Sequence, residues 1–144
     1  MSESAPFDLR DFMPYLLNQA ADVTSRSFEG AYKDRYGMLR TEWRVLFHLG
    51  RYGAMTAKEI CGRARMHKTK VSRAVRALEE KRFLERQTRS DDRRHEMLSL
   101  TPTGARVFRD LVKEAQRFDT ALMAEFSAEE AAQMRALLIR LAQL

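Results

Sequence analysis

The run RQTRSDDRRHEML, residues 86–98, sets four arginines and two aspartates within thirteen positions. A little upstream, HKTKVSRAVRALEEKR, residues 67–82, spaces Lys68, Thr69, Lys70, Ser72, Arg73 and Arg76 so that they recur at helical intervals. A guanidinium pairs bidentately with phosphate oxygens or with the O6/N7 edge of guanine, while hydroxyls and ammonium groups suit phosphate. This is the chemistry of holding a polyanion, not of making or breaking bonds. Residues 62–95 carry twelve Lys/Arg against five Asp/Glu, a net of +7, and the remainder of the chain, with 14 basic and 15 acidic residues, nets −1. Twenty of the 26 basic residues are arginine. Charge that merely solvates a surface would be spread; charge confined to one segment marks a docking surface for phosphate.

The elements around these residues follow from periodicity and caps. TAKEICGRARM opens with a capping box, Thr56 to Glu59, and Ala57, Ile60, Cys61 and Ala64 fall at i, i+3, i+4 and i+7. After a short turn, Val71, Ala74, Val75 and Leu78 repeat that spacing and leave Thr69, Ser72, Arg73 and Arg76 on the opposite side. Two short helices with the second presenting arginines outward describe a helix-turn-helix. FLERQT and EMLSL then flank RSDDRRH, with Leu98 and Leu100 alternating about Ser99, as in a β-hairpin. A hairpin directly after the second helix is a wing, and the arginine-rich run is its tip.

Longer helices frame this centre. The first is expected from Asp8 or Asp11 to about Glu29, with Pro14 in its first turn and Leu9, Phe12, Leu16, Ala20 and Val23 on one side. Gly30 and Gly37 are expected to bracket a break. Thr41 is expected to cap EWRVLFHLG, with Trp43, Leu46 and Phe47 inward and Gly50 as the stop. Thr101 caps a helix with Pro102 at its first position and Ala105, Phe108, Leu111, Val112, Ala115, Phe118 and Leu122 on one face. A second capping box, Ser127 to Glu130, leads into Ala131, Met134, Leu137, Leu138 and Leu141. The fold class is therefore mainly α with a small β-hairpin wing: a winged helix-turn-helix with N- and C-terminal dimerisation helices. Residues 1–144 are expected to form a single domain, with about 8–36 and 102–144 as dimerisation helices and about 41–101 as the DNA-binding region.

The order of elements, the run VSRAVRALEEKRFLER and above all DDRRHEMLSLTPTG resemble the MarR family of bacterial transcription regulators. The resemblance runs from PYLLNQAADVTSR and TEWRVLFHLG to the final helix. It implies an obligate homodimer with intertwined terminal helices that binds a pseudo-palindromic operator, more often to repress than to activate. It also implies that Arg94 enters a minor groove with Arg93 in support, two roles that can exchange, while Asp92 holds an arginine in place. One departure stands out. Many members carry a small polar or acidic cap before the second helix, whereas here the residue is His67, preceded by Met66.

The resemblance further implies a small-molecule effector, in many members an aromatic acid, between the dimer helices and the reading head. Tyr15, Trp43 and Phe47 are the candidate contacts, although core or interface packing is their simplest explanation. Cys61 lies on the apolar side of its helix and reads as packing, with a redox-responsive regulator as the alternative. With a single cysteine, no internal disulfide is available, and the reading places the chain in the cytoplasm. His48, His67 and His95 show no metal spacing, and no metal or cofactor is expected. No Gly-rich phosphate loop, nucleophile elbow or paired-carboxylate site occurs, so the chain is not expected to be an enzyme. No apolar run is long enough for a membrane helix. The competing class is a winged-helix module for protein or RNA; such modules commonly lose the outward arginines or the basic wing.

Overall fold

The computed structural model describes residues 5–87 and 96–144. The Asp8 carboxylate accepts the Arg10 N–H and shapes a single 3-10 turn, Leu9–Asp11, ahead of α1 (Met13–Tyr36). Pro14 sits in the first turn of α1, where a missing N–H costs nothing. The expected break at Gly30 does not occur. The helix runs through it for nearly two further turns and ends at Gly37, whose φ of 63° supplies the left-handed cap. Phe28, Ala31 and Tyr32 bury the C-terminal half of α1 against the core, which holds the helix together through a residue of poor helical propensity.

The next helix, α2 (Arg40–Tyr52), differs from expectation at both ends. Its N-cap is Leu39, not Thr41: the Glu42 carboxylate reaches back to accept the Leu39 N–H at 2.9 Å. At the other end Gly53, φ 84°, is the cap, and Gly50 lies within the helix. A Cβ on Gly50 would stand 2.4 Å from the Phe108 ring, so this glycine is a close approach between helices rather than a stop.

Then follow α3 (Ala57–Ala64), α4 (Lys68–Glu80), the strands β1 (Leu84–Gln87) and β2 (Met97–Leu100), α5 (Pro102–Met123) and α6 (Ala128–Ala142). The strands pair antiparallel, with Leu84 opposite Leu100 and Gln87 opposite Met97. Met55 joins β2 through a bridge to Leu98, its N–H and carbonyl both bonded there. The core lies between α2, α3, α4 and the hairpin, closed by the C-terminal half of α1 and the first half of α5. Ile60, Val71, Leu78, Val45, Leu46 and Leu111 are wholly buried there. Met38, Met55 and Met66 join them, as flexible gap-fillers do. Among the described residues no buried side-chain polar atom lacks a hydrogen-bond partner.

Candidate nucleic-acid interface

The helix pair that carries the candidate contacts is fixed by its caps. The Thr56 hydroxyl accepts the Glu59 N–H while Glu59 returns to the Thr56 N–H, closing the expected box at the start of α3. Arg65, at φ 51°, ends α3 in the left-handed region, and buried Met66 anchors the turn. His67 resolves the departure noted above. Its Nδ1 accepts the Thr69 N–H at 3.3 Å, so it caps α4 with the tautomer that carries hydrogen on Nε2. The helix that carries the candidate contacts therefore starts at Lys68.

The two faces of α4 separate as the spacing requires. Val71, Ala74, Val75 and Leu78 are buried, and Lys68, Thr69, Lys70, Ser72, Arg73 and Arg76 are all exposed. Arg76 lies 3.6 Å from Glu80 in a pair open to water on both sides. Such pairs contribute little stability and exchange readily for a phosphate. An exposed helix of this kind fits the major groove, where its first turns reach base edges most directly.

The wing is rooted by Leu84 and Leu98, both buried. At its base the Thr101 hydroxyl donates to the Arg82 carbonyl and also accepts the Gly104 N–H, and the Thr101 N–H donates to the Phe83 carbonyl. A Cβ on Gly104 would fall 1.9 Å from that Phe83 oxygen, so only glycine lets the start of α5 close onto the hairpin. Asp92, Arg93 and Arg94, together with His95, lie outside the described residues. Arg86 is described: its Nε donates to Glu79 at 2.7 Å and its Nη1 to Glu96 at 3.0 Å. The hydrogen bond to Glu96 chiefly holds the guanidinium proton, with Glu79 adding to it against partial burial.

Three arginine contacts had no signal in the sequence, because backbone carbonyls and distant carboxylates leave no pattern. Arg86 is one. Arg44, on α2, donates to the Ala64 carbonyl at 2.6 Å and so caps α3 from behind; burial, then the neighbouring Arg40, lowers its pKa. Arg65 donates to the carbonyls of Ala142 and Gln143 and thereby caps α6 from the turn of the helix pair.

Behind this head the aromatic side chains form a continuous group. Trp43 stacks on Tyr32 with an interplanar angle of 9°, and Phe28, Phe47 and Phe118 extend the contacts. A cleft of about 390 Å³ opens here between α1, α2 and α5, lined by Thr24, Ser25, Phe28, Trp43, Phe118 and Leu122 among others. Trp43 thus lines it and Phe47 packs on Trp43, but Tyr15, near the start of α1, is not part of the lining. Cys61 is half-buried against the core. His48 bonds through Nδ1 to the Arg44 carbonyl, and among the described residues no group of three or more His, Cys, Asp or Glu is placed to hold a metal ion.

A short helix pair with an exposed, basic second helix, followed by an antiparallel hairpin and packed under longer flanking helices, defines a winged helix-turn-helix protein. Residues 36–95 match the model of the MarR family. The chain is 25% identical over 114 residues to the uncharacterized HTH-type transcriptional regulator YwoH of Bacillus subtilis, covering 79% of this chain and 82% of that protein. A MarR/EmrR family transcriptional regulator from Acinetobacter sp. ADP1 superposes with a TM-score of 0.84 at 26% identity, over 95% of this chain and 96% of that one. Bordetella bronchiseptica BpsR, whose DNA binding is regulated by 6-hydroxynicotinic acid, shares the fold with a TM-score of 0.85 at 18% identity, over 97% and 99% of the two chains. Over residues 36–95 by sequence, and over nearly its whole length by fold, the chain is thus similar to transcriptional regulators of the MarR family.

Proposed function

We propose that this regulator binds a pseudo-palindromic operator as a homodimer, represses transcription there and is released by a small aromatic effector. The observation that carries the reading is the split of α4 into a wholly buried apolar side and a wholly exposed side of Lys68, Thr69, Lys70, Ser72, Arg73 and Arg76. Lys68, Thr69, Lys70 and Ser72 take phosphates, and Arg73 or Arg76 reads guanine. Arg94, supported by Arg93 and Asp92, enters the minor groove beside each half-site. Half-site centres then lie about 10 base pairs apart on one side of the duplex. The dimer forms through α1, α5 and α6, and the protein works in the cytoplasm, where its operator is. No helix among the described residues is long and apolar enough to cross a membrane.

The effector reading rests on the aromatic cleft, whose lining joins α2 of the head to α1 and α5. Its size lies within the range of small-ligand sites. A ligand seated on Trp43 would bear on the same helix that supplies Arg44 to the end of α3. The regulation of BpsR by a hydroxylated aromatic acid supports this ligand class.

A gel-shift on duplexes selected by the protein from a random-sequence pool tests the reading. Arg94→Ala should weaken binding by roughly 1–3 kcal/mol, most where flanking pairs are A·T-rich. Arg73→Ala should instead relax preference inside the half-sites. If both variants, and Arg93→Ala, select and bind the same duplexes as wild type at physiological salt, the proposed contacts are wrong.

A further inference from the structure

Arg86 belongs to the basic run by sequence, yet its charge is already engaged. On β1 it stands opposite Leu98, and its guanidinium reaches two carboxylates at once, Glu79 at 2.7 Å and Glu96 at 3.0 Å. Glu79 lies in the last turn of α4 and Glu96 immediately precedes β2, so one planar fork joins the second helix of the pair to both strands of the wing. The group as a whole carries one net negative charge. A phosphate brought here would meet two carboxylates around a single guanidinium, which is the wrong arrangement for holding it.

The hairpin needs such a fastening. Its apolar anchors are Leu84 and Leu98, and beyond Leu84 the β1 residues Glu85, Arg86 and Gln87 are all exposed. The Met55–Leu98 bridge supports β2 and not the outer part of β1, and a two-stranded ribbon on its own is marginal in water. The guanidinium holds its donors in fixed directions, Nε toward Glu79 and Nη1 toward Glu96, whereas a lysine, a point charge with rotatable donors on a flexible stem, would not fix that angle.

We infer that Arg86 is a positioning residue. With Glu79 and Glu96 it fixes β1 and β2 at one angle to the exposed side of α4, and DNA affinity depends on that angle. It does this without touching DNA. The inference rests on the DNA-binding reading above, and its test separates the two.

Arg86→Met, Arg86→Lys and Glu79→Gln are compared with wild type on a duplex that the wild-type protein selects from a random pool. Arg86→Met should weaken binding about tenfold, equivalent to about 1.4 kcal/mol, with the salt dependence of affinity unchanged. A slope lowered by about one would show a direct phosphate contact and overturn the inference. Arg86→Lys should bind nearly as weakly as Arg86→Met; full rescue by lysine would make charge, not the fork, the requirement. Glu79→Gln should also weaken binding, whereas tighter binding would mean that the carboxylate only repels DNA. Amide hydrogen exchange of the DNA-free protein gives an independent readout. Met97–Leu100 should exchange faster in Arg86→Met while α2 and α3 keep wild-type protection, and an unchanged hairpin sinks the clamp. If wild type selects no duplex, the DNA-binding reading fails, and the exchange data still decide whether Arg86 holds the wing.

Discussion

The reading head and the terminal helices use apolar side chains in opposite ways. In the head, Val45, Leu46, Ile60, Val71 and Leu78 are wholly buried within one chain. On α6, Leu137, Ile139 and Leu141 are 60%, 50% and 56% exposed, and in the first half of α1 Met13 and Val23 are 56% and 62% exposed. The border between the two regimes falls inside α1, since Phe28, Tyr32 and Tyr36 of the same helix pack into the core. One region is complete as a single chain. The other leaves apolar side chains exposed along α6 and the first half of α1, where Met13 and Leu17 lie beside Met134, Leu137 and Leu141, and α6 is also tied to its own chain by the Arg135–Asp119 pair and the Arg65 cap. The difference makes stability separable from the proposed assembly, so that each can be broken without the other.

The largest expected effect lies in the head. Leu78→Ala should cost about 2–5 kcal/mol in denaturant unfolding, because it empties a closed site. The paired change Leu137→Arg with Leu141→Arg should act differently. Light scattering at micromolar concentration should give about twice 16.8 kDa for wild type and the monomer mass for the variant. The variant's denaturation midpoint should also stop rising with protein concentration. A wild-type protein that is a folded monomer would remove the proposed dimer and the palindromic operator with it.

A smaller effect sharpens the border within α1. Tyr36 donates to Asp110 of α5, and burial, then that hydrogen bond, raises its pKa from 10.0 to about 12. A raised pKa means that the folded state keeps a proton the unfolded chain has lost. The stabilisation is therefore complete below pH 10 and disappears as pH rises through about 12. Unfolding measured across this range should steepen with pH in wild type and flatten in Tyr36→Phe. The same bond holds the Asp110 carboxylate below its usual range, with Arg35 contributing, so its share is lost at the acid end instead.

The smallest effect is expected at Cys61, on the edge of the head's core. Cys61→Ser should cost at most about 1–3 kcal/mol and leave operator affinity and any response to peroxide unchanged. A peroxide response present in wild type and absent in the variant would instead make Cys61 a sensor.

What was legible in the sequence was local chemistry. Thr56 with Glu59, Thr101 with Gly104, and Ser127 with Glu130 are satisfied within one helical turn, so their caps are written in adjacent residues. The apolar period of α4 was equally plain, and with it the exposed arginines. The misreadings were tertiary. Gly30 and Gly50 look like stops, but α1 continues because its far end is buried, and Gly50 is small because Phe108, far along the chain, lies against it. Thr41 looked like the cap of α2, whereas Glu42 reached past it to Leu39. The roles of Arg44, Arg65 and Arg86 depend on which carbonyls and carboxylates the fold brings near them.

The closure of the wing at its root has a bearing on protein engineering. Thr101 is tied to Arg82 and Phe83, and Gly104 seals against the same backbone, so the two ends of the hairpin are pinned together before the strands leave the head. Chain inserted beyond such a pinned neck adds only a slowly growing loop-closure term, about 0.6 kcal/mol for each doubling of length. Gln87, the last residue of β1, is thus a natural graft point, after which a peptide tag can be added while the head beneath keeps its shape.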